Sequence, residues 1–177
     1  MGWLNPARAW DGLQQFLDMG GPVLVVILIA TFILWALILE RALYYAFAHK
    51  ANVARVTREW EARSDHSSWY AHAIRDKLIS QIKLKAEQNV AHIKTVVALA
   101  PLLGLLGTVV GMVSVFDVMT VAGSSDARGM AAGVSRATIP TMAGMGGAIS
   151  GLFFSYQFER RARRETAVVA DHLEIEH

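Results

Sequence analysis

Cysteine is absent from the 177 residues, which excludes a disulfide framework, a thiolate zinc site and a cysteine nucleophile. Proline is scarce, four in all, and neither proline nor glycine occurs between Glu40 and Ala100, so that stretch has uninterrupted helix-forming composition. Charge is missing from three long blocks. Pro22 to Leu39, Val96 to Phe116 and Ala137 to Phe158 contain no Asp, Glu, His, Lys or Arg. The first of these, 18 residues long, covers ~27 Å as a helix at ~1.5 Å per residue, enough for a hydrocarbon core. A soluble domain has no need of such blocks, and 54% hydrophobic against 18% charged residues agrees with lipid as the surroundings. The expected fold is an all-α integral membrane protein with three transmembrane helices. The 17 Lys+Arg against 15 Asp+Glu leave a net charge of only +2, too little to argue for nucleic acid.

The placement of the charges says more than their sum. Residues 40–95 hold ten Lys/Arg and the tail adds Arg160, Arg161, Arg163 and Arg164, against only Arg8, Arg128 and Arg136 elsewhere. The positive-inside rule then puts the N-terminus outside and 40–95 and the C-terminus in the cytoplasm. The organisation expected is an interfacial helix over 1–20, where Asn5 and Pro6 begin a helix with Trp10, Leu13 and Leu17 on one face. Gly20-Gly21-Pro22 breaks it. Transmembrane helix 1 and its continuation follow over 21–47, a cytoplasmic helical region over 48–95, helix 2 over 96–118 and a periplasmic loop over 119–136. Helix 3 covers 137–158, and a basic tail over 159–177 anchors to anionic lipid. A cleavable leader competes for the first block, since Ala46-Phe47-Ala48 loosely resembles a cleavage site. Arg8 is outnumbered there by Asp11 and Asp18, however, and the block is already of spanning length.

Spans two and three are rich in small residues. Gly107 and Gly111 form one GxxxG, Gly147 and Gly151 another, and Gly104 and Gly144 extend the small surface, a composition that lets helices approach closely in lipid. Each span also carries a hydroxyl stripe: Thr108 with Pro101, Gly104 and Gly111, and Thr141 with Thr138, Gly144, Ala148 and Ser155. A hydroxyl in hydrocarbon needs a partner. It either bonds the carbonyl one turn earlier, the ordinary habit of membrane helices, or lines a narrow polar passage. Thr108, Thr141, Thr138 and Ser155 are the candidate pore residues. Pro140 frees a carbonyl near Arg136 and kinks span three beside Thr141.

Moving protons requires a titratable group, and neither small-residue span has one. If the chain conducts protons, a partner helix must supply the carboxylate. An enzyme is not indicated: Gly144-Met145-Gly146-Gly147 lies in an apolar span without a Walker lysine. His49, His66, His72 and His92 are expected as solvated helix-face residues, and no metal or cofactor is implied. Asp117 is read as an interface anchor.

The run from Ala100 through Met112, APLLGLLGTVVGM, resembles the second-span signature of the ExbB/TolQ/MotA proton-channel family. Val134-Ser135-Arg136-Ala137 leading to Thr141 and Gly144-Met145 is similar to its third-span threonine motif, and Glu40-Arg41 matches after span one. Length and span number look most like the ExbB branch, the compact type of a second TonB system. This resemblance implies a homopentamer in the bacterial inner membrane, with its outer side periplasmic, around a dimer of ExbD helices, whose membrane aspartate exchanges protons beside Thr108 and Thr141, with TonB carrying the output to receptors for iron-siderophore uptake. Arg136 stands where the family often has an acidic residue, Ser150 where it has proline, and Pro140 where it has a small residue. The competing readings are a TolQ-like or motility subunit, and a membrane scaffold that conducts nothing.

Overall fold

The computed structural model describes residues 6–65, 68–122 and 127–173, and every regular element among them is helical. In chain order these are α1 (Pro6–Leu43), a five-residue π-turn (Tyr44–Ala48), α2 (His49–Glu61), α3 (Trp69–Glu87), α4 (Val90–Ala122) and α5 (Ala127–His172). Three helical stretches are long and apolar enough to cross a membrane. The protein is therefore an all-α, multi-pass membrane protein. Its helices run well past the charge-free blocks, because loss of apolar character does not end a helix when no breaker follows.

α1 changes direction at Gly21, whose φ of 66° and ψ of −168° lie in a region that only glycine occupies freely. Pro22 then opens the new segment from a position where its missing N–H is least costly. Asn5, expected as the cap, lies outside the described residues, as do the side chains of Trp10 and Leu13 and all of His66.

The chain divides into two compact units, residues 1–34 with 95–150, and residues 35–94 with 151–177. In the first, large apolar side chains face outward: Phe32, Leu102, Leu105, Met142 and Ile149 are all exposed. Glycine and small residues face inward, with Gly104, Gly107, Gly144, Gly147 and Ala148 buried. A water-soluble bundle would reverse this order, whereas helices in lipid associate through small residues and leave bulky ones outside.

The second unit has an ordinary apolar core of Val56, Trp60, Ala71, Leu78, Ile82, Val169 and Leu173. Ser68 caps α3 by accepting from the Ala71 N–H at 3.2 Å, and Asp65 accepts from the Ser68 N–H at 3.0 Å, which satisfies two amides at the helix start. Arg75 donates to the Leu173 and Ala170 carbonyls at 2.6 and 2.8 Å, closing the last turn of α5. The turn into α4 passes through Asn89 at φ 62°, and asparagine tolerates that left-handed conformation better than most residues. Asn89 also donates to Glu40 at 2.9 Å.

Candidate functional site

Within the first unit, α4 and α5 touch through backbone. A Cβ added at Gly104 would sit 2.9 Å from Thr141 Cα and 3.1 Å from the Pro140 carbonyl oxygen. One added at Gly144 would sit 2.5 Å from the Ala100 carbonyl oxygen and 3.2 Å from Gly104 Cα. At Gly111 the obstacle is Ala137. At Gly107 it is the Pro140 ring, with Val23 of α1 beside it, and at Gly147 it is the Thr31 hydroxyl at 3.1 Å. The small-residue surface is thus a contact seam. Gly151, the remaining predicted packing residue, is buried in the second unit.

This approach lets a hydroxyl reach across. Thr141 Oγ1 donates to the Gly104 carbonyl of α4 at 2.8 Å. Thr108 Oγ1 lies 3.4 Å from the same carbonyl and is hydrogen-bonded to Thr141 Oγ1. Both threonines are half-buried. With Thr141 committing its proton to Gly104, its oxygen accepts the Thr108 proton. The Thr108 oxygen then keeps lone pairs for one more donor, such as water or a protonated carboxyl. The chain contributes no charge at this point, so a proton stopping here needs a titratable group from elsewhere.

The other predicted pore hydroxyls behave differently. Thr138 is exposed and donates to the Ser135 carbonyl of its own helix at 2.8 Å. Ser155, 2% exposed, donates to the Leu152 carbonyl at 2.9 Å in the second unit. Thr31, Ser114 and Ser150 back-bond in the same way, which is the ordinary habit of such residues in apolar helices. Thr141 departs from that habit by bonding a second helix. Arg136 and Asp117 are exposed.

The second unit corrects one expectation and adds residues that sequence reasoning missed. His49, expected in solvent, is 4% exposed and lies 3.3 Å from Glu165 through Nε2. His72 and His92 are exposed as expected. Arg41 is 1% exposed and donates through Nη1 to the Lys85 and Ala86 carbonyls at 2.7 and 3.2 Å. Tyr45 donates to the Ala86 carbonyl at 3.0 Å. It lies past the end of span one at Leu39, and burial there pushes its phenol up to about 12 while Arg41 partly opposes, so it stays a neutral donor. Only the Glu40-Arg41 pair had a sequence signal, as a charged break after an apolar block. The Lys85 and Ala86 carbonyls that Arg41 and Tyr45 hold lie more than forty positions away in the chain and could not be read from spacing.

A half-buried threonine pair thus sits on glycine-packed, charge-free helices of a multi-pass membrane protein. Residues 36–171 match the MotA/TolQ/ExbB proton channel family, and the chain belongs to that family. It is 46% identical over 56 residues to the putative biopolymer transport protein ExbB-like 1 of Synechocystis sp., covering 30% of this chain and 22% of that protein. It is 32% identical over 80 residues to the putative biopolymer transport protein ExbB-like 3 of the same organism, covering 44% and 38%. The aligned segments thus span well under half the length of these relatives.

Proposed function

We propose that this chain is the channel-forming subunit of a TonB-energising motor in the bacterial inner membrane. Its N-terminus lies in the periplasm and its C-terminus in the cytoplasm. Five copies enclose a dimer of ExbD helices, and the ExbD aspartate takes and releases protons beside Thr108 and Thr141. TonB carries the resulting work to outer-membrane receptors for iron-siderophores and similar solutes. The observation that carries this reading is the cross-helix bond from Thr141 to Gly104 with Thr108 attached, which leaves an acceptor for a protonated carboxyl where the chain has none. Membership of a proton channel family supports it, as do the names of the ExbB-like relatives. The outward apolar faces of α4 and α5 suit contact with lipid or neighbouring copies.

The test is growth on a siderophore as sole iron source, in a bacterium lacking its own ExbB and TolQ and supplied with this chain and its neighbouring ExbD-like partner. Wild type restores growth and an equally expressed Thr141→Val does not. Equal rescue by both overturns the threonine site, and failure of wild type overturns the TonB assignment in favour of a TolQ-like or motility role.

A further inference from the structure

The π-turn Tyr44–Ala48 places one extra residue in a helical turn, and the His49 backbone N–H closes it by donating to the Tyr44 carbonyl. Such turns are uncommon and cluster at functional positions. His49 stands at the exit of this turn, and its contact with Glu165 ties the turn to α5.

His49 sits in a polar pocket that is incompletely satisfied. Its Nδ1, the Tyr44 hydroxyl and Arg41 Nε are all buried and find no hydrogen-bond partner among the described residues. The Tyr44 and Tyr45 rings lie 5.9 and 5.4 Å from the imidazole. Arg41 stacks on Tyr44 and Arg161 on Tyr45, at 4.6 and 5.0 Å. Arg161 also lies 3.9 Å from Glu165. From α3, Lys85 donates to Asn52, about one turn past His49. The Glu165 carboxylate, 32% exposed, is the charged group in direct contact with the imidazole.

We propose that His49 and Glu165 form a proton-operated latch. The imidazolium donates a charged hydrogen bond to the carboxylate and holds the π-turn against α5. Loss of the proton leaves a weaker neutral bond, and the turn opens locally more often. The proton binds at a ring nitrogen on acidification and returns to solvent past half-exposed Glu165 on alkalinisation, with no other bond made or broken. The latch responds to pH on the side of the chain that carries most Lys and Arg, and it does not depend on the TonB assignment.

Hydrogen exchange of the full chain in phospholipid nanodiscs tests it, at one acidic and one alkaline pH and corrected for intrinsic exchange. Amides of Tyr44–Lys50 are protected about tenfold more on the acid side in wild type, the difference between a charged and a neutral hydrogen bond. His49→Gln and Glu165→Gln lose that difference, while the α3 amides near Leu78 stay protected. Equal protection of the wild-type turn at both pH values overturns the latch without reference to any variant, and so does a pH difference that survives in either one.

Discussion

Thr141 of α5 donates its hydroxyl proton to the Gly104 carbonyl of α4 across 2.8 Å. That carbonyl is reachable because residue 104 has no side chain: the Cβ it lacks would stand 2.9 Å from Thr141 Cα. Glycine and threonine therefore work as one unit, the first allowing the approach and the second using it.

Thr141→Val keeps the volume and removes the donor. Its stability cost is that of one hydrogen bond, about 1 kcal/mol, so the protein still folds. Proton flux through the reconstituted complex, measured with a pH-sensitive dye in liposomes, falls at least about tenfold if the hydroxyl contributes ~1.4 kcal/mol to passage. Thr141→Ser restores most of the flux. A Thr141→Ser that is as inactive as Thr141→Val would mean that the methyl group, not the hydroxyl, matters.

Three glycines of spans two and three separate packing from flexibility. Gly144→Ala drives a methyl against the Ala100 carbonyl, and Gly104→Ala drives one against the backbone of Thr141. Since both obstacles are main chain, each substitution costs roughly 1–3 kcal/mol. Gly146→Ala meets nothing within 4 Å and is neutral or slightly stabilising, because alanine is the better helix former by about 0.5–1 kcal/mol. Thermal aggregation of the three detergent-solubilised variants should rank Gly146→Ala above wild type, with both others well below.

The three spans were legible because absence of charge over a spanning length is a one-dimensional property, and lipid imposes it on every residue of the block. Thr108 and Thr141 were legible for a related reason: helical periodicity places each on a small-residue face, and a hydroxyl there must find a partner. The same periodicity also selected Thr138 and Ser155, which satisfy themselves on their own helix. Which hydroxyl crosses to a neighbour depends on where two helices come closest, and that is set by the packing of Gly104 and Gly144. His49 was misread for the converse reason. Apolar Phe47 and Ala48 precede it and polar Lys50 and Asn52 follow at one and three positions, which leaves its surroundings open, and the burial that decides its role comes from Tyr44, Tyr45 and the distant Glu165.

Arg75 is tied to the end of α5, so its loss should be felt nearly a hundred residues away. Arg75→Met keeps the aliphatic stem and removes two charged donors to the Leu173 and Ala170 carbonyls, at a cost of roughly 1.5–3 kcal/mol. Amides in the last turns of α5 exchange faster in the variant, whereas those around Thr141 do not change. Uniform loss of protection along α5 would contradict a local clasp.

Arg41 is the strictest test of geometry over charge. Its guanidinium holds the Lys85 and Ala86 carbonyls at the end of α3 and also reaches Glu40 at 3.4 Å, all from a 1% exposed position. A lysine there keeps the charge, but its ammonium is a point rather than a planar fork and cannot reproduce the two-sided arrangement. Arg41→Lys therefore leaves a buried cation with partners missing, and Arg41→Met leaves carbonyls without donors but no stranded charge. Leaving a buried charge poorly paired costs about 3–5 kcal/mol, more than the loss of a neutral partner. The conservative change should consequently be the worse one: Arg41→Lys lowers the unfolding temperature of the detergent-solubilised protein further than Arg41→Met. The opposite order would show that charge alone, through Glu40, is what position 41 supplies.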